Sequence, residues 1–178
     1  MTIFDVNEPI VILNGYEKQF EELLGIVIDK PITTALGDAI KQHALKWAKE
    51  INPEEFQQFY DDHYGRNYIG HFPSGWEVIV MTWKKGVSSS IHGHPQYAGY
   101  THISGDIRLE VFEEQEGGLR KVLEHIIQPG DSFFAVSDKN DFKNHIHRLT
   151  ALTDARTLHI YSDDARRGFN YDSYKILE

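Results

Sequence analysis

Read from the N-terminus, the chain changes its hydrophobic period once. In residues 16–28 ("YEKQFEELLGIVI") and 33–51 ("TTALGDAIKQHALKWAKEI") apolar side chains recur three and four positions apart. That spacing gives a helix one buried stripe. Asp29, Pro31 and Thr33 lie between the two as stop and start signals. A third short helix is expected over residues 52–64 ("NPEEFQQFYDDHY"), with Asn52 as N-cap, Pro53 in the first turn, and Glu54 and Glu55 facing the helix dipole. From Trp76 the period shortens. "WEVIVMTW", "YAGYTHI", "DIRLEVFEE", "LRKVLEHII", "DSFFAV", "NHIHRL" and "RTLHIYS" are short runs rich in β-branched and aromatic residues, punctuated by "SGD", "EGG" and "PGD". Short strands at this spacing predict an antiparallel sandwich or barrel. The expectation is one domain over 1–178: a helical N-terminal region, 1–62, packed on a β-barrel, 63–178.

Composition narrows the function. The chain of 178 residues is 40% apolar and 25% charged, as ordinary globular domains are. A formal net charge of -9 without a basic stretch argues against a nucleic-acid partner. The close basic pair Arg166-Arg167 sits beside Asp163 and Asp164 and reads as solvated surface. With no cysteine, disulfides and thiolate metal sites are excluded, and a reducing cytoplasm is the expected location. The first twenty residues lack the basic start and long apolar run of a leader, and no segment has the length of a membrane span. The expected assembly is a monomer or a small homo-oligomer, with no membrane partner.

Ten histidines raise the question of metal. On a strand, residues i and i+2 share a face, so His92 and His94 in "SSIHGHP" form a two-pronged ligand set, and His145 and His147 in "NHIHRL" form another. Adjacent strands would bring three rings onto one side of an ion and leave its other side open to substrate. Imidazole suits iron, copper, nickel and zinc alike. His43, His63, His71 and His125 lack such a context and read as surface or packing residues; His102 follows the first pair and is a candidate pocket wall.

Gly86, five residues, His92-x-His94, and a run closing at Gly105 resemble the first motif of the cupin barrel. In that motif a glutamate normally follows the second histidine by three or four residues. Here those positions are Ala98 and Gly99, so the ligand set would be all histidine. The flanking residues resemble the cysteine dioxygenase family, non-haem iron enzymes that oxidise a thiol to a sulfinate with O₂. The similarity runs from about Asn52 to Tyr161 and includes "NPEEF", "YGRN", Trp83 nine residues before His92, "SSIHGH", "HR" at 147–148 and "TLHIYS". The resemblance implies a cupin fold (a double-stranded β-helix or jelly roll) with N-terminal helices, and Fe(II) held by His92, His94 and His147. His147 is preferred to His145 because Arg148 follows it. It further implies a catalytic pair Tyr161 and His159, substrate binding by Arg66, Tyr64 and Tyr161, and supporting roles for Trp83, Thr157 and His159. The partners it implies are a small thiol and O₂.

The chain departs from that family in places. It cannot form the cysteine–tyrosine cross-link of the mammalian enzymes, although bacterial relatives also carry glycine at that site. The family's Ser-Pro-Pro after the tyrosine is Ser162-Asp163-Asp164, which adds negative charge to an expected pocket wall. The segment from Gly130 to His147 matches the second cupin motif poorly. Oxidation of L-cysteine to cysteine sulfinate is the expected reaction, with 3-mercaptopropionate as a variant substrate. A cupin isomerase or decarboxylase and a non-enzymatic ligand-binding cupin are the competing classes. Three neutral ligands leave a ferrous ion its full charge, which favours an anionic thiolate, and Arg66 offers a planar fork for a carboxylate.

Overall fold

In the computed structural model, which describes residues 10–11 and 13–178, the two apolar stripes form α1 (Glu17–Val27) and α2 (Thr34–Glu50). The reading that no leader is present concerns the first twenty residues, part of which lies outside the described ones. Thr33 caps α2 by accepting from the Leu36 N–H at 3.2 Å. Phe20, Leu23 and Val27 of α1 and Ile40, Ala44 and Trp47 of α2 are buried in one cluster.

The helix expected over residues 52–64 is reduced to a single 3-10 turn, Pro53–Glu55, capped by Asn52. Beyond it, the carbonyls an α-helix would use are taken by the barrel. Arg156 Nε donates to the Phe56 carbonyl at 2.7 Å and Thr82 Oγ1 donates to the Gln58 carbonyl at 2.7 Å. Tertiary partners override the local signal here. The N-terminal region also contributes a strand, β1 (Ile10–Val11), which pairs with β2 (Gly65–His71).

The remaining strands are β3 (Glu77–Trp83), β4 (His92–His94), β5 (Tyr97–Ser104), β6 (Ile107–Gln115), β7 (Gly118–Ile127), β8 (Ser132–Val136), β9 (Asn144–Ala151), β10 (Ala155–Tyr161) and β11 (Ile176–Leu177). One sheet has the order β1-β2-β3-β10-β5-β8 and the other β11-β7-β6-β9-β4. The fold is mainly β, a double-stranded β-helix by its strand order, with two N-terminal helices packed on it. No described helix is long and apolar enough to cross a membrane.

The first sheet is covered on both faces, which explains the near-continuous apolar run of β3. Val78 and Val80, with Leu158, Ile160 and Tyr97, pack against the helices. Ile79, Met81 and Trp83 alternate to the other face and meet Ala98, Tyr100, Leu109 and Leu149 inside the barrel. The functional side chains occupy this inner face and the facing sheet.

Candidate metal centre

β4 and β9 are antiparallel neighbours, with His92 directly across from His147. His94 follows His92 by two residues on the same face, so three imidazoles converge from two strands. Their ligand atoms all lie within 4.8 Å of one another, and among the described residues no carboxylate joins the group. The outer side of β4 needs glycine: a methyl group on Gly93 would collide with the backbone of Phe142 and Lys143.

Hydrogen bonds orient two of the rings. Nδ1 of His92 donates to the Ser90 carbonyl at 2.9 Å, and Nδ1 of His94 to the carbonyls of Asn144 and His145 at 3.1 and 3.0 Å. A carbonyl accepts only, so the proton sits on Nδ1 and the Nε2 lone pair of each ring is free. His94 Nε2 is buried without a partner among the described residues, and so is His147 Nδ1. Burial lowers the pKa of His92, and lowers those of His94 and His147 well below the ordinary imidazole value, with neighbouring histidines adding to the effect. The rings are therefore neutral, the form that binds metal. Unpartnered nitrogen atoms, neutral rings and convergence on one point fit a divalent ion held on one side only.

His145 does not join the trio. Its φ of 50° breaks the strand alternation on which the pairing of His145 with His147 was based. Its carbonyl serves His94, and its Nε2 lies 3.1 Å from the Tyr100 hydroxyl. Burial pulls its pKa down to about 4. At the position of the missing glutamate, Ala98 is the residue that faces the barrel interior, beside Tyr100. A side chain at Gly99 would run into the Tyr97 ring instead.

A cavity of about 330 Å³ opens between the sheets, with His92 and His147 on one wall and Arg66, Tyr64, Trp83, His159 and Tyr161 on the other. Pairing register accounts for this second wall. Arg66 and Thr157 both lie opposite Met81, His159 opposite Ile79, and Tyr161 opposite Glu77, all on the inward face. Tyr64 stands just before β2 and stacks on Trp83, with ring centroids 4.6 Å apart. Behind the wall runs a buried relay: Trp83 Nε1 donates to Thr157 Oγ1 at 2.9 Å, Thr157 Oγ1 is 2.7 Å from His159 Nε2, and His159 Nδ1 is 2.8 Å from the Tyr161 hydroxyl. Indole can only donate. Either proton arrangement leaves one hydroxyl proton over; because Thr157 is fully buried and Tyr161 lines the cavity, the favoured one has Thr157 donating to Nε2 and Nδ1–H donating to the tyrosine oxygen. The Tyr161 proton is then left for the cavity, and burial, raising its pKa, keeps it there.

Arg66 does not pair with Asp61 or Asp62, which contact Lys84 and His63. Its Nη2 donates to the Tyr68 hydroxyl at 3.0 Å and lies 3.8 Å from Glu77. Its Nε is buried with no partner among the described residues, an unspent donor. His102 is not on the cavity wall; its Nε2 bonds the Gly105 carbonyl. The expected negative charge on the pocket wall is also absent. Asp163 and Asp164 lie on the far side of their turn, in a neighbouring groove, and pair with Arg167 and Arg166. The cavity rim is made instead by Ala165, Arg166, Gly168 and Asn170, so Arg166 is more than a solvated surface residue. Sequence reading missed this rim, Ser90 and Glu77. Only Glu77 left a signal, as the one charge on the inward period of an apolar strand.

No protein-family model matches the chain, and no curated protein matches it. Solved structures do. A cupin superfamily protein from Desulfitobacterium hafniense is 14% identical over 62% of this chain and 86% of that one, with a TM-score of 0.47. An RmlC-like cupin from Desulfovibrio desulfuricans is 17% identical over 64% and 95%, at 0.48. A double-stranded β-helix protein from Klebsiella pneumoniae is 15% identical over 65% and 85%, also at 0.48. Likeness at this level bears on no activity; the fold stands on the strand order itself.

Proposed function

We propose that the chain is an iron-dependent thiol dioxygenase that oxidises a small thiol bearing a carboxylate, L-cysteine first among candidates, to its sulfinate with O₂. The supporting observation is that two of the three converging neutral histidines, His92 and His147, line one cavity of about 330 Å³ together with an arginine that keeps an unspent donor. The motif resemblance and the absence of a carboxylate ligand point the same way.

A ferrous ion held by His92, His94 and His147 would supply a site for the thiolate and the activation of O₂. The protein's own side chains do the rest. Arg66 receives the substrate carboxylate on its guanidinium edge, a charge-assisted contact of about 1.5–3 kcal/mol. That contact fixes which end of the substrate faces the histidines. Tyr161, its proton turned into the cavity by the relay from Trp83, donates a hydrogen bond to the reacting group or to the carboxylate. Tyr64 and Trp83 wall the site against water. Both atoms of O₂ enter the product, R–SH + O₂ giving R–SO₂H, so no external reductant is consumed.

The test is an oxygen-electrode screen of small thiols with anaerobically iron-loaded protein. With L-cysteine, one O₂ should be taken up per sulfinate formed, and ¹⁸O₂ should label both sulfinate oxygens. Turnover of 3-mercaptopropionate in preference would reassign the substrate, and no turnover with any small thiol would defeat the reading.

A further inference from the structure

Glu77, which lines the neighbouring groove rather than the cavity itself, is a buried charge beside Arg66 that the proposed chemistry leaves without a task. It opens β3 on the inward period, is 5% exposed, and is surrounded by apolar neighbours along the strand. A buried carboxylate needs a partner or it destabilises the fold. Its Oε1 accepts from the Ala165 N–H at 2.9 Å, which ties the cavity rim to the barrel. The same oxygen lies 3.8 Å from Arg66 Nη2, too far for a hydrogen bond but close enough for strong attraction. The other charges nearby are already matched: Asp164 receives Arg166 through two contacts of 2.9 and 2.8 Å. Arg66 and Glu77 are thus left to each other, while Tyr161 lies directly across from Glu77 in the pairing register.

We propose that Glu77 is a positioning residue for carboxylate binding, a resting counter-ion that aims Arg66 into the cavity and competes with the incoming carboxylate for its charge. This rests on the thiol dioxygenase reading. It gives the site a way to release product, because a sulfinate keeps the substrate's carboxylate and would otherwise stay on the arginine. An anchor of moderated strength serves binding without trapping either species.

L-cysteine and cysteamine separate this role from a structural one, since they share the sulfur and the amine and differ in the carboxylate. Anaerobic calorimetry on the iron-loaded protein gives both dissociation constants. Glu77→Gln keeps the acceptor for Ala165 N–H and removes the charge. It should tighten L-cysteine by about tenfold and leave cysteamine within twofold. Glu77→Asp should restore the wild-type ratio, and in an Arg66→Ala background Glu77→Gln should change neither ligand. Parallel weakening of both thiols, or an unchanged ratio, overturns the proposal. Failure of Glu77→Gln to fold overturns it too, because the charge would then be structural. If the wild-type protein binds neither thiol, the dioxygenase reading fails and carries this inference with it; binding of both with an unmoved ratio removes this inference alone.

Discussion

Thr157 shows how much one hydroxyl can decide. It accepts from Trp83 and stands beside His159, so it fixes both an indole and an imidazole tautomer. Thr157→Val, nearly the same shape, leaves a buried indole N–H unpaired. It should lower stability by about 1–3 kcal/mol, read as a shifted urea midpoint at constant slope, and should reduce turnover without loss of iron. Tyr161→Phe removes the proton that the relay turns into the cavity. Its turnover number should fall about a hundredfold in steady-state kinetics; an unchanged Michaelis constant for L-cysteine assigns the hydrogen bond to the reacting group, and a raised one assigns it to the carboxylate. The period-two rule made the inward set Thr157, His159 and Tyr161 legible from sequence. It misled at His145, because a positive φ at a non-glycine residue leaves no mark in the pattern.

Among the elements, the helices and the long strands were readable because each carries its period over many residues. The short ones were not. β4 has three residues and is defined by its neighbours: β9 on one side, and on the other the segment 169–170, where Gly93 N–H donates to the Phe169 carbonyl at 2.9 Å. A methyl group on Gly168 would collide with the Gly93 carbonyl. Gly168→Ala should therefore push the ligand strand out of place and weaken iron binding at least tenfold, measured by competition with a chelator; unchanged affinity would show that the C-terminal segment does not brace β4. The failed helix over residues 52–64 has the same origin, since its backbone is claimed by Arg156 and Thr82 of the barrel. Tertiary hydrogen bonds of this kind lie outside any local window of sequence.

For the whole molecule, burial of histidine sets the response to acid. His43 and His102, both away from the ligand trio, have pKa values lowered chiefly by desolvation. The unfolded chain takes up their protons near pH 6.5, where the folded chain does not, so their stabilising contribution is complete above that pH and is lost below it. Each group contributes a slope of up to about 1.4 kcal/mol per pH unit. Glu77, raised by burial, acts in the opposite sense as a single group. Chelator-treated protein should accordingly show a lower urea midpoint at pH 5.5 than at pH 7.5, with the ligand histidines adding to the loss. The proposed function depends most on three imidazoles sharing one ion. Anaerobic titration with Fe(II) should find one equivalent bound by the wild-type protein and by His145→Ala, and none by His147→Ala. Iron retained by a folded His147→Ala protein, or lost from a folded His145→Ala protein, would show that the ion is held elsewhere.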